Sequence, residues 1–316
     1  MADIYMHSRL TEDLIARLDR DIDSDVAFLG AQGPDPMYYA VMHKDGKQYR
    51  YYADRMHDTD TQGLLVGFVD DVKQHNNKET YSFLVGFLAH YALDIHIHPY
   101  VYHNVGVYDK NDPKTHAWRG LHLKFERSID CVLIEREQQT KPHKLALHKR
   151  HLTIKHAPRD VAELMGKSFK RQFDIDNGAA IFTTCTRHMY NIVRYLATDR
   201  FGIKKLLYRM HDAFNREDDM FLADISFFHH VEPYDFLNEN HRTWHHPVTN
   251  EAFTSSVMEL YDQALAFATA MMAKVNRYLD GDETIDLKTI FTNLSYNSGV
   301  ACDHPQAMRH FAVYRP

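Results

Sequence analysis

Residues 81–98 read Tyr81-Ser-Phe-Leu-Val-Gly86-Phe-Leu-Ala-His90-Tyr-Ala-Leu-Asp94-Ile-His96-Ile-His98. The run is apolar almost all round, which predicts a central buried helix. Residues 90, 94 and 98 stand at i, i+4 and i+8, so on an α-helix they project from nearly one face, each about 6 Å above the last. Two imidazoles and a carboxylate buried on such a stripe would be costly if unpaired. A metal ion removes that cost; the competing reading is a set of core polar groups bonded to backbone or to one another. Three metal-type residues on one face favour ligation. His96 points off that face and reads as structural.

Helical periodicity extends on both sides. Leu10, Leu14, Ile15 and Leu18 predict a first amphipathic helix, and Leu64, Leu65, Phe68 and Val72 another that ends near Asn76-Asn77. Leu121, Phe125, Ile129 and Leu133 mark a helix over 118–137, and further helices are expected at 159–173, 177–198, 203–217 and 252–279. No sustained two-residue alternation appears, and the stretch 48–52 is too short to decide. Loops are expected at 30–36, 102–115 and 233–249, and the basic, His-rich segment 138–158 reads as an exposed connection or lid. The fold class expected is all-α: a single multi-helix domain over 1–316 with a metal cluster between buried helices. Its metal-site core would be 1–135, with a helical remainder and lid loops over 136–316.

Composition narrows the function. Lys+Arg 37 against Asp+Glu 43 gives a net charge of −6, which speaks against nucleic-acid binding through bulk charge. The 23 histidines are about three times an ordinary share, and histidine is the commonest metal ligand. Three widely spaced cysteines, Cys131, Cys185 and Cys302, offer neither a disulfide framework nor a Cys-based zinc site. The first residues lack a basic-then-apolar pattern, and the longest apolar stretch falls short of the roughly 20 residues a membrane span needs. A soluble, cytoplasmic protein without a transmembrane segment is expected.

The helix after the central one repeats the polar pattern. His122 and Glu126 lie one turn apart, with Asp130 a turn further on. Such i,i+4 pairs are common on solvated faces, so the pair gains weight from its place beside the central helix. Upstream, Asp35 sits in Gly33-Pro34-Asp35-Pro36, where flanking prolines restrict the backbone; a plain turn aspartate is the alternative. His57 is read as preceding a helix that Asp58 or Thr59 would cap. His7 is placed just before the first helix, where it could equally be a bystander.

Taken in order, His7, Asp35, His57, His90-x3-Asp94-x3-His98 and His122-x3-Glu126 resemble the zinc-dependent phospholipase C family, whose superfamily also holds single-strand-specific zinc nucleases. The Gly-Pro-Asp-Pro turn, Met56-His57, the run from Gly86 to Asp94 with His98-Pro99-Tyr100, and the His-x3-Glu carry the resemblance over roughly residues 1–135. Phrases at 237–241, 244–247 and 293–296 are also similar but say less about function. The resemblance implies an all-α fold binding two to three Zn2+ ions, other divalent transition metals being possible. Asp35, His57, His90 and Asp94 would form a first site, and His98, His122 and Glu126 a second. His7 would share Asp94 in a third, which secreted members complete with an N-terminal Trp that this chain lacks. N and O donors suit zinc.

The implied activity is phosphoester hydrolysis of phospholipase C type, with a metal-bound hydroxide attacking phosphorus. Asp94 would hold the hydroxide and Asp35 would accept a proton, making these two the catalytic candidates. The partner implied is a phosphoester small molecule or a phospholipid headgroup. Two alternatives stand beside this reading. One is an HD-type metal phosphohydrolase, in which Asp58 would be a ligand. The other is a non-catalytic helical binding protein with a structural metal site.

Overall fold

The computed structural model describes residues 4–199, 201–214, 221–227, 231–304 and 306–315. Among these the regular structure is helical apart from one two-residue antiparallel pairing, Trp244–His245 with Ala252–Phe253, and an isolated bridge between Leu294 and Ala301. The first helices are α1 (Ile4–Ile15), α2 (Ser24–Gly30), α3 (Gly46–Asp58) and α4 (Thr61–Gln74). Next come α5 (Lys78–Val105), α6 (Leu121–Glu137), α7 (Arg159–Phe173) and α8 (Gly178–Asn191). The last are α9 (Ile203–Phe214), α10 (Val257–Leu279) and the single turn α11 (Leu287–Ile290).

The 28-residue α5 is the axis, with α1, α2, α4, α6, α7 and α10 packed around it. Its start is fixed by a reciprocal capping box between Asn77 and Thr80. From Thr80 to Val105 all but two residues are buried, as the all-round apolar run requires. Helix α2 crosses α5 at backbone contact. A Cβ on Gly86 would lie 1.9 Å from the Ala27 carbonyl oxygen and 2.5 Å from the Ala31 nitrogen. That closeness brings the turn after α2, with Asp35, against the polar stripe of α5.

Several expected boundaries move. Helix α5 continues through Pro99 to Val105, so the loop expected from 102 begins later. A helix not foreseen, α3, covers 46–58 and includes the undecided 48–52 stretch. His57 therefore closes a helix instead of preceding one, and the cap of α4 is Asp60, which accepts from the Gly63 N–H at 3.0 Å. His7 lies inside α1, not before it. The helix expected over 203–217 is present to Phe214; 215–217 lie outside the described residues. Segment 138–158 is not an exposed lid throughout. Leu147, His151 and Leu152 are buried, with the His151 ring edge-on to Tyr5 at 5.4 Å. No helix among the described residues is long and apolar enough to cross a membrane.

Candidate metal centre

All eight residues singled out in the sequence converge beside the lower half of α5. Helix α1 supplies His7, the turn after α2 supplies Asp35, and α3 supplies His57. Helix α5 itself supplies His90, Asp94 and His98, and α6 supplies His122 and Glu126. Three groups have donor atoms within 4.8 Å of one another: His7/His90/Asp94, Asp35/His57/His90 and His98/His122/Glu126. Seven of the eight are buried; His122, 28% exposed, is the side chain through which the cluster reaches the surface.

Asp94 is the hub. Its two oxygens lie 3.0 Å from His90 Nε2, 3.4 Å from His7 Nε2, 3.6 Å from His98 Nε2 and 3.9 Å from His57 Nε2. Beyond it, Glu126 Oε1 stands 3.2 Å from His98 Nε2 and 3.1 Å from His122 Nε2. On the other side Asp35 Oδ1 is 3.3 Å from His57 Nε2.

The other ring nitrogens decide what these contacts are. Nδ1 of His57 lies 2.7 Å from the Ala53 carbonyl, Nδ1 of His90 3.0 Å from Ala31, and Nδ1 of His98 2.7 Å from Tyr296. A carbonyl only accepts, so each Nδ1 donates its proton there and a neutral ring turns its Nε2 lone pair inward. Lone pairs then face carboxylate oxygens. Both Asp94 oxygens, Asp35 Oδ1, Nε2 of His57 and His90, and both nitrogens of His7 are buried without a hydrogen bond from the protein. One carboxylate cannot hold four protonated imidazoles out of water. A cation shared among the acceptors satisfies them, and an N/O donor set with carbonyl-anchored imidazoles fits zinc.

Electrostatics agree. Burial pushes the Asp94 carboxyl up, but the imidazoles of His90, His98 and His7 more than reverse this and leave it well below the carboxylate range. Burial drives His98 down to about 3 and lowers His7. For His57 burial acts the same way, but Asp35 beside it outweighs burial and raises it. The pH dependence of the metal-free fold follows. The unfolded chain takes up protons from about pH 6.5 downward, whereas His98 refuses one until about 3. Stability is therefore lost as pH falls below 6.5, His57 offsetting part of it with the opposite sign. Urea midpoints of chelator-treated protein, lower at about pH 5.5 than at about pH 7.5, check this.

Local sequence explains the placement. Gly33 has φ +50°, and a Cβ there would lie 2.3 Å from His90 Cδ2, so only glycine lets the turn close over this ring. Asp130 is not a donor of the cluster. It accepts the Tyr5 and Met6 N–H groups at 2.8 and 3.0 Å, tying the first turn of α1, and hence His7, to α6. His96 turns away and bonds the Ala92 carbonyl at 2.7 Å, as expected. Residues 1–3, where an N-terminal ligand would stand, lie outside the described residues.

Asp58 points elsewhere. It accepts from Ser295 Oγ and, at 2.7 Å, from Asn297 Nδ2. The Tyr296 N–H between them donates to the His57 carbonyl at 2.8 Å, while the Tyr296 carbonyl receives the His98 proton. A C-terminal loop thus orients the His98 imidazole and holds the backbone of His57 through the main-chain atoms of Tyr296, which a sequence scan for donor side chains does not find. Asp35 in the cluster and Asp58 outside it is the reverse of the HD-type arrangement. Asp58→Ala should loosen this clasp, lowering metal affinity by roughly tenfold without abolishing binding; competition titration against a zinc-sensitive dye measures it.

The family model for zinc-dependent phospholipase C matches residues 6–175, more than half of the chain and all eight of its candidate donors, since His7 to Glu126 fall within the matched range. No curated protein and no solved structure matches the chain.

Proposed function

From its membership of the zinc-dependent phospholipase C family, we propose that this chain hydrolyses phosphoesters in the phospholipase C manner at the Asp94-centred cluster. The observation that carries the proposal is the Asp94 carboxylate surrounded by four imidazole Nε2 atoms at 3.0–3.9 Å. Asp35, His57, His90 and Asp94 would hold one ion and His98, His122 and Glu126 a second. His7 and Asp94 would hold a third. Zinc, when bound, supplies Lewis acidity, acidifying water and compensating the charge of a phosphoryl group.

The protein's own contribution is orientation and exclusion of water. The Ala53, Ala31 and Tyr296 carbonyls fix the rings of His57, His90 and His98, so no reorganisation is needed as charge develops. Asp35, beside the raised His57, is placed to take a proton. Tyr102, its ring 4.8 Å from His122 and its hydroxyl donating to Asn297 at 3.1 Å, stands where the cluster reaches the surface and would border an entering headgroup. A phosphoester small molecule or phospholipid headgroup is the partner. A reducing, cytoplasmic setting suits three free cysteines.

Chelation tests the reading. Treatment with a strong chelator should remove hydrolysis of a chromogenic phosphodiester and of phosphatidylcholine, and zinc should restore it. Uptake of zinc should release whatever protons the metal-free cluster holds, because its ligands bind metal only when deprotonated. Undiminished turnover in a metal-stripped sample would sink the mechanism.

A further inference from the structure

Helix α9 is built inside out. It has no buried residue, and its exposed face carries Ile203, Leu206, Leu207, Met210 and Phe214, spaced three and four apart. These are large apolar side chains more than half exposed, and Phe214 is 91% exposed. Contiguous apolar stripes of this kind mark interaction surfaces. The polar side is the one turned to the protein, and it is fastened there. Lys204 Nζ donates to the Tyr195 and Thr198 carbonyls at 2.6 and 2.7 Å, and Tyr208 donates to the Leu196 carbonyl at 3.3 Å. Asp212 accepts the Leu222 and Ala223 N–H groups at 2.9 Å each. Specific bonds on the inner face therefore hold the apolar face outward.

Charge indicates what covers it. Among the described residues of 187–214 the acids are Asp199, buried and accepting the Lys205 N–H, and Asp212, spent on 222–223. Arg187, Arg194 and Arg209 are exposed. The chain as a whole is acidic at −6, and Glu217, Asp218 and Asp219 follow α9 in the sequence, but on α9 and the described stretch before it the exposed, unspent charges are these arginines. An exposed apolar stripe with Arg209 on the same helix suits a helix lying in the plane of an anionic lipid surface. The 222–224 turn held by α9 also packs on α6, the helix that carries His122 and Glu126.

We infer that α9 docks the protein on anionic phospholipid membranes, its apolar stripe entering the headgroup boundary while its polar side stays bonded to the protein. The choice of a lipid surface rests on the phospholipase reading of the metal centre. Vesicle binding is scored without turnover, so failure of docking and failure of hydrolysis are separately visible.

The experiment is flotation of the full-length, zinc-loaded protein with phosphatidylcholine vesicles containing phosphatidylglycerol, and with pure phosphatidylcholine vesicles. The protein should float with the anionic vesicles, less with the neutral ones, and less at high salt. Leu206→Glu and Leu207→Glu should each weaken binding by about tenfold or more, while soluble-diester hydrolysis and thermal midpoint stay unchanged. Leu207→Trp, a milder change, should show blue-shifted emission with anionic vesicles. Wild-type protein that floats with neither vesicle, glutamate variants that float like wild type, or an unshifted Leu207→Trp would each overturn the inference. So would a wild-type dimer in light scattering that Leu206→Glu converts to monomer, since a second copy would then cover the face.

Discussion

Asp94→Asn should abolish hydrolysis, by more than about a thousandfold in kcat/KM, and should cost more than His122→Ala. The amide is nearly the same size, so packing inside α5 is preserved. What disappears is the negative charge that four imidazole nitrogens surround at 3.0–3.9 Å. An amide also places an N–H₂ against lone pairs that already point inward, so it cannot serve two ions at once. His122 lies at the surface end and contacts Glu126 alone among the carboxylates of the cluster, at 3.1 Å. Removing it should leave the Asp94-centred part intact and cost about ten- to a hundredfold. Parallel kinetics with metal counts decide the matter; an equal or milder loss for Asp94→Asn would mean that Asp94 serves a single ion.

Gly86→Ala should be the most damaging single-methyl change to the fold. Its Cβ would sit 1.9 Å from the Ala27 carbonyl oxygen and within 2.8 Å of Gly30, contacts that only a shift of α2 relieves. A backbone obstacle cannot rotate away as a side chain can, so the cost should be about 3 kcal/mol or more. Because α2 leads directly into Gly33 and Asp35, metal affinity should fall with stability. Urea unfolding and zinc titration of the variant measure the two effects; a midpoint like that of wild type would show that the α2–α5 contact is looser than described.

Much of this site is legible in the sequence because helices convert spacing into geometry. His90, Asp94 and His98 share a face through the four-residue repeat, and His122 and Glu126 do so on the next helix. What the sequence conceals is carried by backbone. The Ser295–Asn297 clasp works through the N–H and carbonyl of Tyr296, so no donor side chain announces it. Helix α3 was obscured because its inner face is made of Tyr49, Ala53, Met56 and His57 within an otherwise polar segment. The apolar run reads as helix to His98 with a loop from 102, yet the helix passes through Pro99 to Val105, with the loop at Gly299 lying against the Ile95 carbonyl that a proline four residues on leaves without its N–H. Asp130 matched the spacing of a ligand but serves as an anchor for α1, a role that depends on where another helix begins.

The central claim is that the Asp94 hub exists to hold metal. It is tested most directly by elemental mass spectrometry of untagged protein, purified without chelator, alongside Asp94→Asn. The account predicts at least two transition-metal ions per wild-type chain, zinc foremost, and a clear drop in the variant. Folded wild-type protein carrying less than one ion per chain after incubation with zinc, or a variant that retains the wild-type count, would contradict it.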